Sequence, residues 1–186
     1  MKKTTIASTM MMLMLSASVF AEGTGTPAAS APTDQGHGVI KFVGAIIDAP
    51  CSIAPESVDQ TIQMGQIANS LLEHQGEGPL RPFEIHLEGC SLDTAKTASI
   101  TFNGIADDSE KKHLSLNGFA KGAAIAMVSQ RDGSEVVLGT PTKALSLVDG
   151  HNHLKFGAKL VSNLKSGEKA TPGEFTATSD FIMTYQ

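Results

Sequence analysis

Two kinds of residue in this chain could do chemistry by type and spacing: the cysteines Cys51 and Cys90, and six histidines. The cysteines lack the C-x-x-C spacing of redox and zinc sites. In an exported protein two cysteines ordinarily form one disulfide, with a pair of buried free thiols as the alternative. Closing a loop of this size stabilises a fold by roughly 3–4 kcal/mol on the chain-entropy model. Among His37, His74, His86, His113, His151 and His153, only the last two have a suggestive spacing. They stand beside Asp149 and Asn152 in a turn-like sequence. Two ligands do not make a metal site, and a strand would put this pair on one face with no third donor near in sequence. A solvated turn is the ordinary reading, and no metal or other cofactor is expected. Asp59, Asp107 and Asp108 stand in polar context and read as solvated surface. There is no G-x-S-x-G nucleophile elbow and no Walker phosphate loop. The glycines of D-Q-G-H-G at 34–38 precede a strand pattern rather than a helix. Nothing points to an enzyme.

The elements that must position these residues read as strands. The chain is rich in Gly (18 residues), Thr, Ser and Ala, and only 18 % charged, which favours an all-β fold. A net charge of −5 with no run of Lys or Arg argues against a nucleic-acid surface. At the N-terminus, Lys2 and Lys3 precede an apolar run from about Thr9 to Leu15, and Val19, Phe20 and Ala21 close it. This is the pattern of a secretory signal cleaved after Ala21, too short to span a bilayer. No other segment is long and apolar enough for membrane insertion. The exported remainder has the length of one domain with a real core.

Residues 22–35 are small, polar and Pro/Gly-rich and read as a flexible leader. From 36 to 44 the sequence alternates, with Gly38, Ile40 and Phe42 on one parity. From 44 to 47 both parities are apolar, which predicts a core strand leading to Cys51. Further strands are expected at 61–64, 83–87, 98–102, 123–129, 135–138 and 153–161. A turn is expected at Asp132 and Gly133, and a helical turn or two within 68–74. The last stretch, 173–186, alternates to the final residue. Gly173, Phe175, Ala177, Ser179, Phe181, Met183 and Tyr185 form a mostly apolar face. A terminal strand this apolar must be covered, by its own sheet or by another protein. Many short strands at this spacing point to a sandwich or barrel, and no internal repeat is present.

At this point the sequence resembles the pilins of the chaperone–usher pathway, most closely the major rod subunits of P-type and related pili. The pieces that carry the resemblance are D-Q-G-H-G-V-I-K-F-V-G at 34–44, I-I-D-A-P-C-S-I at 46–53, S-V-D-Q-T-I-Q-M-G-Q-I at 57–67, P-F-E-I-H-L-E-G-C at 82–90 and G-E-F-T-A-T-S-D-F-I-M-T-Y-Q at 173–186. They occur in order over nearly the whole exported chain. The long leader at 22–33 departs from the pattern, and 103–150 matches only loosely.

The resemblance implies an immunoglobulin-like sandwich that lacks its seventh strand, within a domain spanning 45–186. A periplasmic chaperone lends a strand to the resulting groove. At the outer-membrane usher, the N-terminal extension of the next identical or related subunit replaces it. Repetition gives a head-to-tail pilus on the cell surface. On this scheme residues 22–44 hold the leader and donor strand, with Ile40 and Phe42 filling the neighbour's groove and Gly38 fitting where space is smallest. Gly173, Phe175, Ala177, Phe181, Met183 and Tyr185 border the groove and meet the chaperone, whose basic anchor takes the terminal carboxylate. Cys51 and Cys90 tie an early strand to a later one. The competing functions are a tip adaptor or terminator of the same organelle, and a monomeric periplasmic enzyme or carbohydrate-binding module. A terminator lacks a donor extension, and carbohydrate sites favour aromatic platforms, yet this chain has no Trp and a single Tyr.

Overall fold

The computed structural model describes residues 35–108 and 110–186. The chain divides into two units, 1–44 and 45–186. In the first unit, the described residues 35–44 form no helix or strand, and Val39, Ile40, Phe42 and Val43 are exposed. The secretory signal and nearly all of the leader lie outside the described residues.

The second unit is all-β with very little helix. Its strands are β1 (Ser52–Ile53), β2 (Arg81–Cys90), β3 (Thr97–Gly104), β4 (His113–Ser115), β5 (Asn117–Gly118), β6 (Ala123–Ser129), β7 (Leu145–Ser146), β8 (Gly150–Ser162), β9 (Phe175–Thr176) and β10 (Ser179–Tyr185). One helical turn, α1 (Pro55–Val58), follows β1, and short 3-10 turns lie at Asn69–Leu71 and Glu73–Gln75. A five-stranded sheet runs in the order β1-β2-β8-β6-β4 and a three-stranded sheet in the order β10-β3-β7. β5 and β9 make a separate ribbon. All these pairings are antiparallel.

Alternation explains which faces meet. In β8, Asn152, Leu154, Phe156, Ala158 and Leu160 are buried, while His151, His153 and Lys155 face outward. β2 turns Ile85 and Leu87 inward, and β3 adds Ala98, Ile100 and Phe102 from the other sheet. The two sheets therefore share one core. Its centre is aromatic: Phe156 stacks on Phe83 at 5.6 Å and meets Phe102 edge-on at 5.1 Å. Such contacts add to the burial of large apolar area.

The expected strands at 83–87, 98–102 and 153–161 are present and longer at both ends, 123–129 coincides with β6, and the terminal stretch is broken into β9 and β10. Residues 135–138 make only an isolated bridge, although Val136 and Leu138 are buried in the core. The Asp132 and Gly133 turn is formed, with φ of +69° at Gly133, which an L side chain rarely adopts. Asp132 Oδ1 accepts from the backbone N–H and hydroxyl of Ser134. Residues 44–47 are not the expected core strand: they form no ladder and Ile46 and Ile47 are exposed. Apolar side chains on both parities do not suffice where no neighbouring strand supplies hydrogen bonds. Residues 61–64 alternate in burial but also lack a ladder.

Cys51 and Cys90 are joined in a disulfide across a sequence separation of 39, beside the β1–β2 pairing. Neither thiol is free, so the alternative of two free cysteines does not hold. Reducing this bond should destabilise the subunit by about 4 kcal/mol on the chain-entropy model. Urea unfolding with and without reductant measures this, and coincident curves would contradict it.

Candidate functional site

The site is built at the end of the chain. β10 pairs with β3 over its whole length, from Ser179 against Gly104 to Tyr185 against Ala98. Among the described residues the sheet has no strand beyond β10, so β10 is an edge. Gln186 anchors the end: its N–H donates to Thr97 O at 2.9 Å, and its carbonyl oxygen accepts from the Thr97 and Lys96 N–H groups at 2.9 and 2.7 Å. The reciprocal bonds between Gln186 and Thr97 fix the phase of the ladder. In an antiparallel pair such bonding residues alternate with residues whose main-chain groups point the other way. The N–H and C=O groups of Phe181, Met183 and Tyr185 therefore point to the open edge.

The side chains follow the same two-residue period. Phe175, Ala177, Ser179, Phe181, Met183 and Tyr185 are each half-buried, while Thr176, Thr178, Asp180, Ile182 and Thr184 are exposed. The half-buried apolar members pack against the core, yet none is fully covered. Completing the burial of a side chain of this size is worth on the order of 1 kcal/mol. The edge thus combines unpaired main-chain groups with apolar side chains only partly removed from water.

The opposite sheet has a matching deficiency. β2 pairs with β1 only at Glu88 and Leu87, so among the described residues its earlier part has no strand on that side. Residues 60–67 run beside it without a ladder. Gln60 Nε2 donates to Glu84 O at 2.8 Å, and Arg81 Nε donates to Met64 O at 3.2 Å. Met64 is buried, and Ile62 and Ile67 are half-buried against the core. Phe102 lies 6.3 Å from Phe83 on β2 and 6.2 Å from Phe181 on β10, measured between ring centres. Both outer rings are half-buried. The two sheet edges thus flank a single incompletely covered seam of the core.

Not every expected site residue joins this seam. Phe175 belongs to the β5–β9 ribbon, opposite Gly118. Gly173 is exposed and precedes that strand; a Cβ there would stand 2.7 Å from Ala120 N, so it serves close backbone approach. Gly38, Ile40 and Phe42 lie in the first unit with no strand partner among the described residues. His151 and His153 are on the outer face of β8 rather than in a turn. Sequence reading did not single out Ile62, Met64 and Ile67 as site residues, although the alternation at 62 and 64 was visible.

Residues 40–186 match the family model described as Fimbrial protein. The chain belongs to the fimbrial protein family. It is 46 % identical over 172 residues to the fimbria A protein of Serratia marcescens, covering 91 % of this chain and 95 % of that one. It is 45 % identical over 154 residues to the major MR/P fimbria protein of Proteus mirabilis, covering 82 % and 86 %. Among solved structures, a chaperone–usher pilus studied for rod uncoiling matches with a TM-score of 0.76 at 34 % identity, over 84 % of this chain and 100 % of that chain. The fold of this fimbrial protein is accordingly the immunoglobulin-like pilin sandwich with one strand missing. Its function is structural, as a pilus subunit, and the family is not one of enzymes.

Tyr185 makes the seam observable. It is the sole tyrosine in a chain without tryptophan. Burial raises its phenol above the ordinary value, because the phenolate is the form that loses solvation. The neutral form therefore contributes stability below the unfolded value of about 10, and this is lost as pH rises through the folded value. Ultraviolet titration of the subunit should place the transition above that of free tyrosine, and covering the edge should move it further up. Titration like free tyrosine in both states would contradict this placement.

Proposed function

We propose that this chain is the repeating rod subunit of a chaperone–usher pilus, exported through the periplasm and assembled on the cell surface. The observation that carries the reading is β10: an edge strand whose outward main-chain groups coincide with a half-buried apolar row. An added strand satisfies both deficiencies together, which is the physics of strand addition at a sheet edge. The first occupant is a strand of a periplasmic chaperone. At the outer-membrane usher it gives way to residues 38–42 of the next subunit. Ile40 and Phe42 share one parity of that segment, so in extended form they enter the same seam, with Gly38 two residues earlier. The exposure of Ile40 and Phe42 in the single subunit fits a segment meant for another chain. Phe181, Met183 and Tyr185 face both successive occupants. The rod role, rather than that of an adaptor, is favoured by the likeness to a major fimbrial subunit.

Two variants separate giving from receiving. Phe42→Asp should leave chaperone capture unchanged yet abolish the ladder of multimers that fibres give in unheated detergent gels, since a buried unpaired charge is costly. A normal ladder would refute the donor assignment. Tyr185→Asp should lower periplasmic yield by weakening chaperone capture, and an unchanged yield would remove β10 from that role.

A further inference from the structure

The outer face of the five-stranded sheet brings together three side chains that no role in strand exchange requires. Glu84 and His86 lie two apart on β2, and His153 sits directly across from His86 on β8. Their donor atoms all fall within 4.8 Å of one another. Glu84 Oε2 is the common centre: it stands 3.3 Å from His86 Nε2 and 3.2 Å from His153 Nδ1. Two metal–ligand bonds of about 2.0–2.1 Å at a tetrahedral angle put their donor atoms about 3.3 Å apart. Two of the three separations thus already match neighbours in one coordination shell, and the two imidazole donors need only close to that spacing from within 4.8 Å.

The surroundings are those of a ligand set. The second nitrogen of His86, Nδ1, is 3.2 Å from Glu56 Oε1. A carboxylate on the far side of an imidazole fixes its tautomer and raises its basicity as a ligand. The other oxygen of Glu84, Oε1, faces Lys155 Nζ at 3.6 Å, which leaves Oε2 for an ion. The imidazole rings are 4.3 Å apart at a steep 64° tilt. The His153 side chain is 53 % exposed, so a fourth position opens to water. His151, two residues from His153, is not a member of the cluster.

We propose that His86, His153 and Glu84 form a surface site for a divalent transition ion of the zinc class, with Glu56 supporting His86 and water completing the shell. Two imidazoles and one carboxylate suit zinc over calcium or magnesium, which prefer all-oxygen shells. Lys155 is the group that opposes the ion's charge. The site is remote in role from the β10 edge, so it stands or falls independently of strand exchange.

The test is equilibrium dialysis of the untagged full-length mature chain, in the assembly state in which it is isolated, against micromolar zinc chloride. Saturable binding of about one zinc per subunit is expected. His86→Ala or His153→Ala should weaken it at least about tenfold. His151→Ala should leave it unchanged, and Lys155→Met should retain it with equal or tighter affinity. Should His86→Ala fail to assemble, the exposed His153→Ala decides alone. Absence of saturable zinc, affinity indifferent to both histidine substitutions, or loss on Lys155→Met would overturn the site.

Discussion

The structure turns on the unpaired main chain of β10. Its odd-numbered residues direct their N–H and C=O groups to the open edge and their apolar side chains part-way into the core. An edge row of unpaired groups is a template for another strand. Ordinary proteins blunt such edges, yet the exposed face of β10 carries only one charge, Asp180, engaged with Asn103 Nδ2 at 3.0 Å. On the proposed reading, polymerisation competence and incomplete burial are one feature described twice.

The rest of the domain compensates for that feature. The core is anchored by Phe156, Ile85, Leu87, Ile100 and Val136, all essentially fully buried. The Cys51–Cys90 bond constrains the unfolded chain where β1 contributes only two residues to its sheet. Gln60 and Arg81 hold residues 60–67 through side chains where a backbone ladder is missing. Stability that a closed sandwich would gain from its last strand is left to be supplied from outside, which makes association part of folding.

Much of this was legible in the sequence, because a half-buried strand writes its own period. The alternation from Phe175 to Tyr185 reappears residue by residue in the burial pattern. Residues 123–129 coincide with β6, whose burial on both faces matches its near-continuous apolar run. Legibility failed where a strand depends on its neighbour. Residues 44–47 are apolar on both parities, yet they form no strand in the lone chain. The break between β9 and β10 was also hidden, since it arises from the pairing of Phe175 with Gly118 far along the chain. The same holds for the histidines. His151 and His153 stood out by spacing, whereas the groups that face His153 come from β2, nearly seventy residues earlier.

The central claim is that one parity of β10 waits for a partner strand, and residue-resolved hydrogen exchange tests it most directly. The amides of Ile182, Thr184 and Gln186 should be protected both before and after assembly. Those of Phe181, Met183 and Tyr185 should exchange freely in the unassembled subunit and slow at least about a hundredfold in the fibre. Equal protection of both parities before assembly, or fast exchange of the odd-numbered amides in the fibre, would contradict the account.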